Sequence, residues 1–449
     1  MPMDRARPDF PGDPKPVVVI AGAGFAGLSA AQALGKAPVR VVLIDRTNHH
    51  LFQPLLYQVA TSVLSPAQIA SPVREILSRQ KNTTVVMGEV TGVEKQRNAV
   101  IVNSPDRKLV PLHYDYLILA TGATHSYFGR NDFEPYAPGL KTLADAVAIR
   151  NRILQAFEQA EAEEDAKAHR DLLTFVLVGG GPAGVEMAGA IAVLVRNSLR
   201  SQFRRIDPTS ARIVLVDRGQ KVLGAFADEL SRGAKERLEK LGVEVHLGEG
   251  VDQIDENGVI VGGRRIASET VIWTAGVAPS PAGVWLGAET DRAGRVRVQG
   301  NLSVSGCPEI FVVGDTASLD QDGHPLGGLA QVAMQQGRYA GEVILRRVTG
   351  KPAPAPFRYF DKGTMAVVGQ GYAVLQSGRV HLRGWPAWLV WAVVHVLSLA
   401  QPGLRLSVFL QWAWTYFTRQ RGARLIVPHH GSTVNEKQTS SNKVRGQYV

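Results

Sequence analysis

Apolar and polar positions along the chain alternate in blocks that predict parallel strands, each followed by a helix. Residues 17–20 form a short uninterrupted apolar run, which is typical of a strand buried on both faces of a parallel sheet. A glycine-rich turn, an Ala/Leu-rich stretch and a second apolar run at 41–44 follow it. The same order returns from 175–178 to 213–216. The two copies predict an α/β chain with two Rossmann-like units.

The first glycine-rich turn has the residue types that a bound dinucleotide requires. Gly22 permits a tight turn, Gly24 lets backbone N–H groups approach a pyrophosphate, and Gly27 allows the helix to pack closely on the strand. The helix N-terminus adds partial positive charge. Asp45 ends the second strand, where its carboxylate can accept hydrogen bonds from a ribose diol. The pattern predicts an ADP-binding site; an ordinary glycine turn in an α/β domain is the alternative.

The second turn contains Gly179, Gly181 and Gly184 and predicts a second nucleotide site. The alternative is a decayed copy of the first. Asp217 ends the strand that follows, and its carboxylate would bind a ribose 2′-hydroxyl and repel a 2′-phosphate. This favours NADH over NADPH, although the adjacent Arg218 weakens the preference.

Two further apolar runs, at 114–120 and 310–313, end where a cofactor could pass close to the backbone. Thr121 and Gly122 follow the first run, and Gly314 and Asp315 follow the second. A carboxylate at the carboxyl edge of a parallel sheet can hydrogen-bond a cofactor's polyol chain. Before the first of these runs, short β-rich segments at 83–102 predict a small antiparallel insert. After it, residues 143–168 predict one long helix.

Several polar side chains have two possible roles. Glu186 could cap the second glycine-loop helix through its dipole, or it could face the space between the two nucleotides. Gln331 and Gln335 share one helical face, where they could recognise a carbonyl or hydroxyl group or form buried hydrogen bonds. For His49 and His50 a structural or cofactor-lining role is favoured over a metal site, because no nearby cluster completes one.

The composition limits the choice of class and partner. The 449 residues are too many for a single core and predict two or three domains. The single cysteine, Cys307, excludes both an intrachain disulfide framework and a paired redox dithiol. The net charge is +10, and residues 362–435 contain seven Lys or Arg and no acid. Such a segment could face nucleic acid or an anionic membrane, and its apolar neighbours favour the membrane.

The C-terminal region is aromatic and almost uncharged. Residues 385–400 and 406–417 carry no charge, and five of the seven tryptophans lie between 385 and 414. A 16-residue helix spans about 24 Å, which is less than the roughly 30 Å hydrocarbon core. The segment therefore predicts helices that lie on a membrane, with arginines on lipid phosphates. A buried hairpin or a dimer interface is the alternative. Residues 1–15 and 431–449 are predicted to be disordered.

Over residues 16–427 the chain resembles the bacterial type II, non-proton-pumping NADH:quinone oxidoreductases. The motifs that carry the resemblance are NHHLFQPLLYQVAT at 48–61, YDYLILATGA at 114–123, VGGGPAGVEMAG at 178–189, the Gly-Asp pair at 314–315, AQVAMQQG at 330–337 and DKGTMAVVG at 361–369. One departure is the QPGLR turn at 401–405, where the family pattern is closer to Gly-Phe-Arg-Asn. It affects the expected hinge between the two membrane helices.

The resemblance implies an FAD-binding domain at 16–142 and 301–350, an NADH-binding domain at 143–300, and a membrane-anchoring and quinone-site region at 351–430. The first turn with Asp45 and Asp315 would hold FAD, and the second turn with Asp217 would hold NADH. Pro54, Thr121 and Lys362 would lie beside the isoalloxazine, and Glu186 would lie near the flavin and the nicotinamide. Gln331 and Gln335 would lie at the quinone site.

The implied activity is respiratory: a hydride passes from NADH to FAD, and two electrons then pass to a membrane quinone. The resemblance further implies a peripheral protein on the cytoplasmic side of the bacterial inner membrane. A homodimer is expected because the apolar surface of the two C-terminal helices exceeds what a monomer usually exposes. No nucleic-acid partner is expected, since the apolar neighbours of the basic segment favour a membrane. A sulfide:quinone oxidoreductase would need more cysteines, and a soluble ferredoxin reductase would not need the tryptophan-rich tail. An NADH-reducible redox sensor or soluble-acceptor reductase remains the alternative function.

Overall fold

A computed structural model describes residues 14–104 and 110–427. The predicted disorder of 1–13 and 431–449 lies outside these ranges. The described residues form eleven α-helices: α1 (Phe25–Ala33), α2 (Leu56–Ala60), α3 (Val73–Ile76), α4 (Leu143–Ala162), α5 (Ala166–Leu172), α6 (Pro182–Val193), α7 (Asp228–Lys240), α8 (Ala282–Leu286), α9 (Ala330–Val348), α10 (Trp385–Ser398) and α11 (Pro402–Thr418). A π-helical turn, Leu194–Ser198, continues α6.

The first unit is built on a six-stranded sheet. Its strand order is Ser303–Val304, Cys307–Val312, Tyr116–Leu119, Val17–Ala21, Arg40–Asp45 and Thr83–Met87. All pairs are parallel except the edge pair formed by the first two strands. Val18, Val19 and Ile20 of the central strand are fully buried, as the uninterrupted apolar run predicts for a sheet covered on both faces. Helices α1 and α9 pack against each other on one face.

The second unit repeats this plan with a four-stranded parallel sheet. Its order is Val243–Leu247, Arg212–Asp217, Thr174–Val178 and Thr270–Trp273. The mixed α/β fold with two dinucleotide-type units agrees with the sequence prediction.

Smaller antiparallel sheets decorate both units. Three-stranded sheets are formed by Glu89–Glu94, Ala99–Asn103 and Val110–His113, by Val251–Asp255, Gly258–Val261 and Arg264–Ala267, and by Thr364–Val367, Ala373–Ser377 and Val380–Gly384. The two-stranded pairings are His49–Leu51 with Ala70–Pro72, Ala123–His125 with Val277–Pro279, Val296–Arg297 with Ala317–Ser318, and Asp320–Gln321 with His324–Pro325. Only the Val296–Arg297 pair is parallel among these short pairings of the described chain.

The structure differs from the sequence prediction at three places. Thr83–Met87 joins the parallel sheet and not the antiparallel insert. The helix predicted at 143–168 ends at Ala162, because Glu163 is extended and Asp165 accepts a hydrogen bond from the Ala168 N–H and so caps a new helix. Residues 282–296, assigned by sequence to the second unit, contribute Ala282, Leu286 and Val296 to the core of the first.

Helices α10 and α11 pack on the rest of the chain through one face and expose the other. Ala387, Trp391, Leu399 and Val408 are buried, whereas the exposed side carries large apolar residues: Trp385, Leu389, Val393, Leu397, Leu406, Phe409, Leu410, Trp414 and Phe417. Across the described part of the chain, no helix combines the length and apolar character needed to cross a bilayer.

The arginines of this region point inward more than the sequence predicts. Arg405 donates through Nε to the Leu399 carbonyl at 3.0 Å, at the end of α10. Arg421 is buried, and Arg424 donates to the Ser198 carbonyl at 3.2 Å. Burial therefore removes Arg421 from a lipid surface, whereas for the partly exposed Arg405 and Arg424 the contact with lipid phosphates stays a prediction. Arg379, Arg383 and Arg419 are exposed.

The α1–α9 contact depends on glycine at position 337, and this is testable. A Cβ on Gly337 would overlap the Ala26 carbonyl, which belongs to backbone and cannot rotate away. We expect Gly337→Ala to lower the free energy of unfolding by about 1–3 kcal/mol and to weaken cofactor retention. Gly403→Ala is the matched control, because no atom lies within 4 Å of a Cβ there. In thermal unfolding, Gly403→Ala should keep the midpoint of the wild type. Equal midpoints for Gly337→Ala and Gly403→Ala would contradict the packing argument.

Candidate functional site

A cleft of about 1090 Å³ lies at the carboxyl edge of the first sheet and reaches the second unit. It brings together most residues that the sequence assigned to the first cofactor. Those that line it are Gly22, Gly24, Asp45, Pro54, Thr121, Gly122, Gly314 and Asp315. Gly27 does not line the cleft; a Cβ there would overlap the Gly22 carbonyl, which is the close helix–strand packing expected of it.

The first glycine turn has the shape that a dinucleotide needs. Gly22 has φ +102°, and a Cβ on it would overlap the Ala120 carbonyl. A Cβ on Gly24 would meet nothing within 4 Å, so the space above the start of α1 is open for a pyrophosphate. The Asp45 carboxylate accepts hydrogen bonds from the N–H groups of Ala23 at 2.6 Å and Thr47 at 2.7 Å. These bonds hold the carboxylate at the rim of the cleft. The residues present fit FAD.

The far end of the cleft is polar and carries opposite charges. Asp315 lies 3.7 Å from Lys141 Nζ, measured to its carboxylate oxygen. Gly314 has φ +73°, and its N–H donates to Gln336 Oε1 at 2.7 Å. The Thr121 hydroxyl lies 2.5 Å from that of Ser280. This edge supplies hydroxyl and carboxylate groups suited to a polyol chain.

The second glycine turn has the same construction. Gly179 has φ +118°, and a Cβ on Gly184 would overlap the Gly179 carbonyl. Asp217 accepts hydrogen bonds from the N–H groups of Gly180 at 2.5 Å and Gly219 at 2.6 Å. The Gly179, Gly181, Gly184 and Asp217 positions do not line the large cleft. The residues that begin α6, namely Pro182 and Ala183, do line it, so the second turn opens toward the first site.

Glu186 lies on α6 with its carboxyl facing the space between the two units. The helix begins at Pro182, so Glu186 is beyond the first turn, which contains no acid. The capping alternative is therefore not what the structure shows. The Val367 N–H donates to Glu186 Oε1 at 3.3 Å. Burial raises the pKa of the Glu186 carboxyl to about 8, so this group is a neutral acid at pH 7.

A second cavity, which we call the aromatic pocket, has a volume of about 90 Å³. It lies between α6, α2 and the inner faces of α10 and α11. Its walls include Tyr57, Glu186, Trp388, Trp391, Trp412 and Arg421. Tyr57 and Glu186 line both this pocket and the large cleft, so these two side chains form the partition between the cavities.

Hydrogen bonds order the partition. The Trp412 indole N–H donates to Gln58 Oε1 at 2.7 Å, and Gln58 Nε2 donates to the Tyr57 hydroxyl at 3.0 Å. Burial, with a smaller contribution from Glu186, raises the pKa of the Tyr57 hydroxyl well above its usual range. Tyr57 therefore stays neutral and keeps its own proton available to an acceptor.

Sequence reasoning did not single out Tyr57, Trp391 or Arg421. Tyr57 is part of the quoted NHHLFQPLLYQVAT motif, but Trp412 and Arg421, which bond its neighbours Gln58 and Thr61, lie more than 350 positions away. Local patterns carry no information about such a contact. The sequence around Arg421, with Arg419 and Arg424 close by, is typical of a basic surface stretch and gave no signal of burial.

Three residues assigned to the reaction lie elsewhere. Gln335 exchanges two hydrogen bonds with the Phe360 backbone, at 2.9 and 3.0 Å, and Gln331 Nε2 donates to the Gly363 carbonyl at 3.0 Å. Lys362 is exposed. None of these three side chains is among the described residues that line the cleft or the pocket. The two glutamines, which lie on α9, hold the segment 360–363 that contains Lys362 against this helix.

The neighbouring histidines are held by the fold. His50 Nδ1 lies 2.9 Å from the Ala23 carbonyl, and burial lowers the pKa of its imidazole. His49 lies on the cleft wall. Within residues 14–104 and 110–427, no group of three or more His, Cys, Asp or Glu side chains could hold a metal ion.

Comparison with known proteins agrees with this architecture. The family model of the pyridine nucleotide-disulphide oxidoreductases matches residues 16–337. Two Mycobacterium tuberculosis proteins, the type II NADH:quinone oxidoreductases Ndh and NdhA, are each 44% identical to the chain. The alignment with Ndh covers 90% of this chain and 89% of Ndh; the alignment with NdhA covers 91% and 89%.

Solved structures show the same fold. NDH2 of Plasmodium falciparum in complex with NADH superposes with a TM-score of 0.81 at 20% identity, covering 92% of this chain and all of that chain. The sulfide:quinone oxidoreductase of Aquifex aeolicus gives 0.67 at 15% identity, covering 90% and 95%. At these identities the structural likeness concerns the fold, and membership rests on the sequence matches. The chain belongs to the pyridine nucleotide-disulphide oxidoreductase family and, within it, to the type II NADH:quinone oxidoreductases.

Proposed function

We propose that this protein oxidises NADH and reduces a membrane quinone, with FAD bound in the large cleft and without pumping protons. The observation that carries the proposal is the shared partition: Tyr57 and Glu186 face both the dinucleotide cleft and the aromatic pocket. A dinucleotide and a quinone would therefore lie on opposite sides of two side chains. FAD, when bound, supplies a two-electron carrier that accepts a hydride and passes electrons to a quinone.

The first unit would hold FAD through the turn at Gly22 and Gly24, with Asp45 toward the ribose and Asp315 toward the polyol chain. Pro54 and Thr121, which line the middle of the cleft, would flank its ring system. NADH would bind at the second turn, with Asp217 toward its ribose and Gly276 on the cleft wall. The protein's contribution is to place the nicotinamide against its acceptor and to exclude water.

The aromatic pocket is the proposed quinone site. About 150 Å³ holds a benzene ring in a protein interior, so a pocket of about 90 Å³ must widen to admit a quinone ring. Trp388 and Tyr416 stack at 5.6 Å between α10 and α11, and both line the pocket. They are partly exposed. Their separation would open a path from the exposed apolar faces of these helices.

Glu186 is the proposed proton donor to the quinone. Its carboxyl is neutral below pH 8 and lies on the pocket wall, and Tyr57 beside it carries a second proton. Lys362, Gln331 and Gln335 are proposed to act through the segment 360–363 that the glutamines hold. We propose that they are positioning residues for the strand that follows, which places the Val367 N–H on Glu186.

The exposed apolar faces of α10 and α11 are proposed to lie on the membrane, on the cytoplasmic side of a bacterial inner membrane. Arg379, Arg383 and Arg419 are the exposed basic residues left to attract an anionic surface. A homodimer formed through part of the same apolar surface is compatible with this arrangement.

Steady-state NADH oxidation by the purified holoprotein in detergent tests the proposed function. We expect rapid turnover with a short-chain quinone, and NADH to be preferred over NADPH by at least about tenfold, since a 2′-phosphate would meet Asp217. Bleaching of the flavin by NADH without quinone turnover would instead support the redox-sensor or soluble-acceptor reductase function.

The proton-donor role predicts a pH dependence. Oxidation of the reduced holoprotein by quinone should slow as pH rises through about 8, because the Glu186 acid is lost. Glu186→Gln should be about 100-fold slower at pH 7 and flat with pH, while its reduction by NADH changes little. Stopped-flow absorbance separates the two half-reactions. Glu239→Gln, a surface change on α7, should keep the wild-type profile. A Glu186→Gln variant with that profile would remove Glu186 from proton delivery.

The membrane role predicts a surface mutation with a matched control. Leu397 is 61% exposed on α10 and Phe409 is 58% exposed on α11. We expect the Leu397→Asp/Phe409→Asp variant to lose at least about tenfold of its binding to phosphatidylcholine–phosphatidylglycerol vesicles in cosedimentation. Val284→Asp, at an 83% exposed position on α8, should bind as wild type. A double variant that becomes monomeric yet still binds vesicles would make this face the dimer interface.

A further inference from the structure

Arg421 is a cation placed where apolar residues would be expected. Its side chain is 3% exposed and lines the aromatic pocket. Its Nη1 donates to the Thr61 carbonyl at 2.6 Å and its Nη2 to the Ala190 carbonyl at 3.2 Å. No carboxylate of the described chain forms an ion pair with it, and Glu186, which lines the same pocket, is a neutral acid at pH 7. Burying a guanidinium without a counter-charge is costly.

The guanidinium retains donors that the protein does not use. A guanidinium has five N–H groups, and two of them are accounted for by the carbonyls of the described residues. Nearby, the Trp391 indole N–H is buried and has no acceptor in the described ranges. The Tyr57 hydroxyl accepts from Gln58 and has its own proton to give. The pocket thus offers a surplus of donors.

A ligand that complements this wall must bring acceptors and tolerate, or develop, negative charge. A quinone ring carries two carbonyl oxygens and no donor. On two-electron reduction the C=O π bond opens and its electron pair collects on oxygen, before a proton makes the hydroxyl. A fixed positive charge beside that oxygen stabilises the charge as it develops.

We propose that Arg421 is a catalytic residue of quinone reduction: its guanidinium binds a quinone oxygen and stabilises the anionic charge formed there, with the Trp391 N–H as a second donor to the ring's oxygens. The inference rests on the proposed function. The reaction balances as NADH + H⁺ + quinone → NAD⁺ + quinol: NADH supplies both electrons and one hydrogen as hydride, and solvent supplies the other proton. Glu186 passes a proton to the quinone oxygen and regains one before the next turnover. The two backbone carbonyls hold the guanidinium in place, so the charge is present before the quinone arrives.

The hydrogen bonds to the two carbonyls also give Arg421 a structural role, and the test must separate this role from the catalytic one. Arg421→Met keeps most of the side-chain volume and removes the charge; Arg421→Lys keeps the charge and loses the planar fork. Arg419→Met is the matched control, because Arg419 lies in the same segment but its side chain is exposed and does not line the pocket.

The experiment measures both half-reactions of each holoprotein in detergent, using short-chain quinones whose electron affinities differ. For Arg421→Met we expect quinone reduction to be slower by about 100- to 1,000-fold with reduction by NADH unchanged, and a steeper dependence on the quinone's electron affinity. The rate of quinone reduction by Arg421→Lys should lie between those of the wild type and Arg421→Met. Trp391→Phe should raise the quinone KM about two- to tenfold, and Arg419→Met should behave as wild type.

Each remaining outcome decides the question. Equal losses in both half-reactions, or an unchanged dependence on electron affinity, would make Arg421 structural and overturn the inference. If Arg421→Met does not fold, an Arg421→Lys variant with wild-type quinone kinetics overturns it as well, and a selective loss in that variant supports it. If the wild-type protein reduces no quinone, the proposed function itself is refuted. If the wild type turns over normally and Arg421→Met reduces quinone at the same rate, this inference alone is refuted.

Discussion

Close contact of backbone with backbone is the constraint on which the rest of the structure depends. Gly27, Gly184 and Gly337 each occupy a position where a Cβ would overlap a carbonyl oxygen. The first two bring α1 and α6 against their own turns, and the third brings α9 against α1. Because these helices approach so closely, their N-terminal turns stay open above the sheet edge. The cleft is what remains between the two units after this packing.

The partition between the two cavities follows from that geometry. The α6 helix carries Glu186 from the second glycine turn to the boundary of the first unit, and α2 brings Tyr57 to the same place. The C-terminal helices then cover the outer side with tryptophans. Arg421 joins the three parts, since its two carbonyl partners lie at the end of α2 and within α6. The last described segment of the chain therefore holds together α2 and α6, the two helices that form the partition.

The sequence was a good guide wherever function is written in local patterns. Glycine spacing, a strand and a terminal acid located Asp45 and Asp217 correctly at their turns, because these contacts join residues of one βαβ unit. Gln331 and Gln335 show the limit of such patterns: helical spacing places them on one face, but it does not say that the backbone of residues 360–363 occupies that face. Their place at the quinone site stays a prediction. Helix breaks set by single caps, such as Asp165, were also missed. Tyr57 and Arg421 required the tertiary fold.

The inward orientation of the tail arginines has a consequence for how the protein can be extracted. Arg405 ends α10 by binding the Leu399 carbonyl, and Arg421 and Arg424 bind carbonyls of the first and second units. The surface that remains on α10 and α11 is dominated by apolar side chains. In the membrane attachment proposed above, such a surface acts through water exclusion, which kosmotropic salts strengthen. Salt screens only the share that the exposed Arg379, Arg383 and Arg419 contribute. Under that proposal, concentrated sulfate should leave most of the protein bound to vesicles, and complete release should require detergent.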